Sequence, residues 1–306
     1  MWPKCLDRLA FMRAAKLRAQ YDADPAAAAP AVRAALNQYV FYHNIELAPG
    51  IKTRGIPWTD LYVLPYLDVC AEFDFYGKRV LDVGCGDGAA SLAAEKRGAA
   101  EIYSLDNQFS PGLVNFIIPF SDSIIKPVEA NLYDLQKLGL GTFDLVLCAG
   151  LLYHLQFPFW GLRAIRDAMN PGGMLILETA FVEAFEDLPI LLYSAGDTSF
   201  YGPQSPAFYN LAGLRSALSQ LGFGTFRVHH TLLQGDNEAD VGKKFPAFAK
   251  RFGSLSSIRT GRVVFTCEKL AGYRNPLFEF FEKTHPHDGS WIQQEIEKCA
   301  GGQSQT

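Results

Sequence analysis

Between Arg79 and Asn107 the chain reads RVLDVGCGDGAASLAAEKRGAAEIYSLDN. Gly84, Gly86 and Gly88 follow a short apolar run, and Asp106 closes the next one. Glycine lets backbone approach a ligand closely and aims the following helix N-terminus at it. An acid ending the second strand is placed to accept both hydroxyls of a ribose. The spacing is that of a nucleotide-cofactor site. Further on, DLVLCAGLLYHL carries a fourth apolar run directly into Tyr153 and His154. His154 is the first candidate for a general base, because an imidazole titrates near neutrality. A structural histidine shaping the pocket is the other reading. His43, in FYHNIEL, is the second candidate, on a segment able to fold over the cleft as a lid. Tyr153 either orients acceptor or cofactor or packs under that lid. Glu178, ending a fifth strand, either binds a polar substrate group or sits solvated at the sheet edge. Trp58 and Tyr62 either stack on an acceptor or pack in the core. His229 and His230 share one expected strand, so one faces inward and one outward, and both read as structural.

The glycines alone fit two cofactors. GCGDGA matches the G-x-G-x-x-A dinucleotide fingerprint, and with Asp82 it also matches the D-x-G-x-G-x-G template of S-adenosylmethionine (SAM) sites. Asp82 separates them. A buried acid is costly without a partner; the cationic amino group of SAM supplies one, whereas a pyrophosphate would be repelled. The order of elements agrees. AMNPGGMLILET gives a helix, a Pro-Gly-Gly turn and a fifth strand, followed by a helix and two strands rather than a second mononucleotide unit.

These residues must be held by an alternating α/β core. The strands expected are RVLDVG, EIYSLD, IKPVEAN (weak), FDLVLCAG and GMLILET, mostly dense apolar runs of the kind parallel strands need when both faces are covered. LAGLRSALSQLGF predicts a helix ended by Gly222, and TFRVHHTLL and RVVFTCEK predict two closing strands. Residues 1–70 read as a helical N-terminal extension and lid, with an Ala-rich linker, DADPAAAAPAV, punctuated by Pro25 and Pro30. Residues 71–270 are the cofactor-binding domain and 271–306 a C-terminal appendage. The stretch from Phe181 to Tyr209 is irregular and aromatic, and QGDNEADVGKKFPAFAKRFGSLSSIRTG is a long loop or lid.

The 306 residues are 49% hydrophobic and 20% charged, ample for a core, and the net charge of −4 argues against a broadly basic nucleic-acid binder. Six scattered cysteines without a CxxC pair read as reduced thiols, with no metal site expected. The N-terminus has no apolar core of a secretory signal, and an amphipathic surface helix explains it better than a transit peptide. No run approaches the ~20 apolar residues of a membrane span. A cytoplasmic protein is expected, and its oligomeric state is left open.

Taken together, Asp82, Gly84, Gly86, Asp106, the LYH after the fourth strand and the Pro-Gly-Gly turn resemble the class I SAM-dependent methyltransferases over roughly Phe75 to Lys269. The resemblance implies a Rossmann-like seven-stranded sheet of order 3-2-1-4-5-7-6 with strand 7 antiparallel. It implies that Asp82, Gly84 and Gly86 hold the methionine end of SAM and Asp106 the ribose. It also implies that Asn107 and Asn131 meet adenine and that backbone at Ala149 and Gly150 lines the methionine moiety. Asn131 stands where the family often has an acid, and an Asx-turn is its other reading. FYHNIELAPGIKTRG, GLLYHLQFPFWGL and ILET are similar to the branch around the tRNA wobble-uridine carboxymethyltransferase. That branch uses carboxy-SAM, held by a lysine, a tyrosine and an arginine. Tyr153 matches the tyrosine, and Arg262, opening the last strand, the arginine. No lysine stands near Phe41 to His43. Losing one charge-assisted hydrogen bond removes ~1.5–3 kcal/mol, so ordinary SAM is expected.

The expected activity is methyl transfer to a small-molecule, sugar or lipid-linked acceptor, by O-methylation. A tRNA-modifying enzyme is the alternative, supported by GKKFPAFAKRFGSLSSIRTGR and by Lys4, Arg8, Arg13, Lys16 and Arg18. A SAM-binding subunit without turnover and a nicotinamide enzyme are further readings; the second is disfavoured by Asp82.

Overall fold

The structure, a computed structural model, describes residues 3–184, 187–194, 199, 201–233 and 259–275. The chain divides into two compact units, residues 1–271 and 272–306. The long basic segment around residues 234–258 and the PLFEFFEK appendage lie outside the described residues.

Two short strands, β1 (Glu46–Ala48) and β2 (Ile51–Lys52), form a hairpin near the N-terminus. The central sheet then forms from the apolar runs: β3 (Arg79–Val83), β4 (Glu101–Asp106), β5 (Ile125–Glu129), β6 (Phe143–Ala149) and β7 (Met169–Glu183). Between β7 and the two closing strands lies a second hairpin, β8 (Leu191–Tyr193) with β9 (Ala207–Tyr209). The closing strands are β10 (Phe223–Leu233) and β11 (Arg259–Lys269). The sheet order is β10-β11-β7-β6-β3-β4-β5. Counting only these seven in chain order gives 3-2-1-4-5-7-6. β3, β4, β5, β6 and β7 pair in parallel, and β11 is antiparallel to both β7 and β10. Val80, Leu81 and Val83 are fully buried, as are Val146 and Leu147 next door, so the central strands are apolar on both faces.

The chain builds outward from β3 through β4 to β5, then returns to lay β6 on the other side of β3. That reversal is the topological switch point, where an open α/β sheet leaves a crevice beyond its strand ends. Both the glycine loop after β3 and Gly150 after β6 open onto it.

The helices are α1 (Arg8–Ala23), α2 (Pro25–Leu36), α3 (Asp60–Cys70), α4 (Ala89–Lys96), α5 (Ile118–Ser121), α6 (Pro158–Asp167) and α7 (Leu211–Gln220). The expected Ala-rich linker is therefore a helix, α2. Asp24 caps it by accepting from Ala27 N at 3.1 Å, and Pro25 occupies the first turn, where no backbone donor is missed. Pro30 removes one internal bond, at a cost of ~3 kcal/mol. Burial of Val32 and Leu36, each worth ~1.5–3 kcal/mol, offsets that. Three further expectations need correction. Arg262 is the fourth residue of β11, not its opening. β7 runs past Glu178 to Glu183. The aromatic insert contains the β8–β9 hairpin, whose Phe208 is fully buried.

Candidate cofactor and acceptor site

Gly84 and Gly86 adopt φ of +70° and +53°, conformations that favour glycine. A Cβ on Gly86 would meet nothing nearer than His43 Cε1 at 4.0 Å, so it would stand in the crevice itself. A Cβ on Gly84 would press the Leu151 side chain at 3.1 Å. Two cavities open onto the crevice among the described residues. The larger, about 490 Å³, is walled by Tyr42, Trp58, Tyr62, Tyr153 and Tyr201 above the glycine loop. The smaller, about 230 Å³, lies between the ends of β4, β5 and β6. Gly84 and His154 line both.

Asp106, Asn107 and Asn131 fall on the smaller cavity. Asp106 Oδ2 accepts from Gly86 N at 3.1 Å and Oδ1 from Gln108 N at 3.2 Å. The acid thus ties the glycine loop to β4; burial raises its pKa against these donors. Asn131 makes the Asx-turn, accepting from Tyr133 N at 3.0 Å. Its carbonyl is engaged while the side chain still lines the cavity.

Every other candidate residue lines the larger cavity: Asp82, Gly84, Gly86, Ala149, Gly150, Tyr153, His154, His43, Glu178, Arg262, Trp58 and Tyr62. Asp82 is 2% exposed, and burial pushes its carboxyl up to about 6. It already has a resident partner, since Ser91 Oγ donates to Oδ2 at 2.5 Å. Trp58 is not core: its ring is half exposed and meets Tyr42 and Tyr62 edge-on at 5.8 and 6.0 Å.

Glu178 is neither solvated nor free. It is 3% exposed, and its carboxylate takes Arg262 Nε on Oε1 and Nη2 on Oε2, both at 2.6 Å. Gly150 N donates to Oε2 at 3.0 Å. Arg262 Nη1 donates to Tyr153 Oη at 2.8 Å, and the guanidinium lies 4.8 Å from the ring centres of Tyr62 and Tyr153. The pair was readable only with the register: Val264 faces Glu178 across β11 and β7, which leaves Arg262 on the adjacent diagonal, same face.

The two histidines are held differently. His154 Nδ1 lies 2.9 Å from the Gln204 carbonyl oxygen and 3.1 Å from Ser205 Oγ. A carbonyl only accepts, so Nδ1 carries the proton and Nε2 is the basic nitrogen. Desolvation lowers the His154 pKa, and Arg262 lowers it further. His43 sits on a segment fastened to the glycine loop by Asp87, whose Oδ2 accepts from Tyr42 N and, at 3.0 Å, from His43 N. Asp87, Tyr42 and Tyr201 are site residues that the sequence reading missed. Asp87 lay inside the glycine motif; Tyr42 and Tyr201 lay among many aromatics with no spacing to mark them. His229 faces inward, its Nε2 2.8 Å from Thr266 Oγ1, and His230 faces outward, as the strand alternation predicts.

The cradle fits SAM: an open glycine loop that a Cβ would fill, a buried acid beside it and a second acid at the β4 end. The comparisons agree. A family model described as a methyltransferase domain matches residues 59–226, more than half of the chain. Among curated relatives, the tRNA U34 carboxymethyltransferase of Helicobacter acinonychis (strain Sheeba) is 27% identical over 161 residues, covering 49% of this chain and 58% of that one. The enzyme of the same name from Pseudomonas putida (strain W619) is 31% identical over 154 residues, 45% of each chain. The chain spans about half the length of the curated relatives it matches. Among solved structures, the N-terminal domain of EvdMO1 with SAH bound superposes with a TM-score of 0.55 at 20% identity, covering 80% of this chain and 97% of that one. CrArsM, an arsenic (III) S-adenosylmethionine methyltransferase from Chlamydomonas reinhardtii, gives 0.50 at 17%, covering 66% and 67%. With the seven-stranded sheet, the glycine loop and this match over most of the core, the chain belongs to the methyltransferase-domain family, the class I SAM-dependent methyltransferases.

Proposed function

We propose that this chain moves the methyl group of SAM to a neutral, ring-sized acceptor held in the aromatic chamber. The observation that carries the reading is the junction of the two cavities at Gly84 and His154. Asp106, on the smaller cavity, would hold the ribose of the cofactor, and Asp82, on the larger one, would pair with its ammonium group. SAM supplies an electrophilic methyl on a good leaving group, so the residues of the chain chiefly align the acceptor, an effect able to contribute ~7–11 kcal/mol. Tyr42, Trp58, Tyr62 and Tyr201 form the walls against which a ring would lie.

Ordinary SAM is the donor in this reading. Arg262, the arginine matching the carboxy-SAM branch, already has two of its bonds taken by Glu178, so the pair is neutral as a unit. No lysine lines the chamber among the described residues.

Two acceptors suit the chamber. One is a hydroxyl on a small molecule, sugar or lipid-linked group. The other, favoured by the names of the curated relatives, is the wobble uridine of tRNA. Of the N-terminal basic residues, Lys4 and Arg18 pair with Glu129 and Asp22, whereas Arg8, Arg13 and Lys16 are exposed and available to phosphates. Methyl transfer from isotope-labelled SAM onto a panel of methyl glycosides, phenols and unmodified tRNA tests the reading. Label in one class identifies the acceptor. Salt-sensitive binding and labelling of tRNA select the uridine; failure of the chain to bind SAM contradicts both.

A further inference from the structure

Resting on methyl transfer to a hydroxyl or similarly acidic group, we propose that His43 is the general base of this enzyme and Asp87 the positioning residue behind it. His43 Nδ1 is sealed from solvent, has no hydrogen-bond partner among the described residues, and lies 3.8 Å from Asp87 Oδ2. The ring lines the aromatic chamber, and with Nδ1 sealed and turned to Asp87, Nε2 is the nitrogen assigned to the acceptor. A carboxylate behind Nδ1 and an open Nε2 is the arrangement that holds an imidazole in its basic tautomer and stabilises the imidazolium formed when it takes a proton. The separation exceeds a hydrogen bond, as such contacts often do before substrate is bound.

The surroundings separate the two histidines. The charged groups facing His43 are acids: Asp87 first, then Asp60 and Glu178, all favouring its protonated form against the desolvation that lowers its pKa. The Tyr42 ring lies edge-on beside it, with ring centres 5.1 Å apart. The charged group acting on His154 is Arg262, which opposes protonation. Burial lowers the pKa of both rings, but the neighbouring charges favour the protonated form at His43 and oppose it at His154, where only the Gln204 hydrogen bond works the other way; His154 is left to shape the junction between the cavities.

The backbone of His43 is fixed on several sides. Asp87 holds its N–H, and Thr53 Oγ1 donates to its carbonyl at 2.6 Å. Gly55 packs so closely that a Cβ there would stand 2.3 Å from the His43 carbonyl carbon. Because Asp87 belongs to the glycine loop, the cofactor loop itself aims the base. In the step, the acceptor oxygen bonds to the methyl carbon, the carbon–sulfur bond breaks with its electron pair going to sulfur, and the acceptor proton passes to His43 Nε2.

Nitrogen-15 NMR of the histidine-labelled full chain saturated with S-adenosylhomocysteine tests this without an acceptor. The expected neutral form of His43 is protonated at Nδ1 and bare at Nε2. Asp87→Asn, which still offers an oxygen to the two backbone donors, should lower the His43 pKa by about one unit or more. On an acceptor from the labelling panel, His43→Gln should lower kcat by ~10²–10⁴-fold, flatten the acid limb of the pH profile and leave the Kd for SAM unchanged. His154→Gln should affect kcat less. An Nε2–H tautomer, a His43 pKa indifferent to Asp87→Asn, or a His43→Gln variant that loses SAM affinity instead of turnover would overturn the assignment. Loss of SAM binding in the unaltered chain would instead overturn the proposed function.

Discussion

Replacing Glu178 by glutamine should change which cofactor the chain prefers. In the intact protein, Arg262 gives two hydrogen bonds of 2.6 Å to Glu178 and one of 2.8 Å to Tyr153, with both charged side chains nearly out of water. Removing one member of a buried ion pair costs ~3–5 kcal/mol, because the other charge is left uncompensated. The variant should therefore melt at a lower temperature. An unpaired guanidinium lining the chamber is then free to accept an anion. One restored charge-assisted hydrogen bond is worth ~1.5–3 kcal/mol, so affinity for carboxy-SAM relative to SAM should rise by roughly ten- to a hundredfold. Calorimetric titration with both compounds, below the melting temperature of the variant, reads that ratio. Glu178→Asp keeps the charge and should leave the ratio near that of the unaltered chain. A folded Glu178→Gln variant with an unchanged ratio would refute the reasoning, since Arg262 would then not face the transferable group.

Other consequences follow from single residues. Asp82 ionises near pH 6 when folded, above its ordinary value of 3.8. A carboxyl raised in this way contributes stability at low pH that is lost as pH rises through the folded pKa, here ~3 kcal/mol by pH 8. Asp82→Asn should thus melt higher than the unaltered chain at pH 8, with the difference shrinking toward pH 4, while its affinity for SAM falls. SAM binding by the unaltered chain should weaken below about pH 6 as Asp82 is protonated. Gly55→Ala forces its new methyl against the His43 carbonyl and Asn44 N, at 2.3–2.7 Å. It should destabilise the fold by ~1–3 kcal/mol and lower methyl-transfer kcat more than SAM affinity, as paired melting, kinetic and calorimetric measurements would show.

The parallel core was legible because its strands are dense apolar runs and its loops carry glycine where the backbone turns sharply; Val80–Val83 and Leu145–Cys148 pair as such runs must. α2 was misread because two prolines look like breakers, although Pro25 is harmless at a helix start and alanine is the best helix former. Glu178 and Arg262 were each visible, but their pairing depends on strand register, which a sequence separation of 84 does not display. Asp87 was hidden inside a motif that the glycines explained by themselves. Its role depends on a segment about 44 residues upstream folding back over the loop.

Calorimetric titration of the full chain with SAM, then with carboxy-SAM, tests the central claim most directly. Binding of SAM at one site, with carboxy-SAM weaker, is the predicted result. No binding of SAM, or tighter binding of carboxy-SAM, would contradict a chamber in which Glu178 already neutralises Arg262.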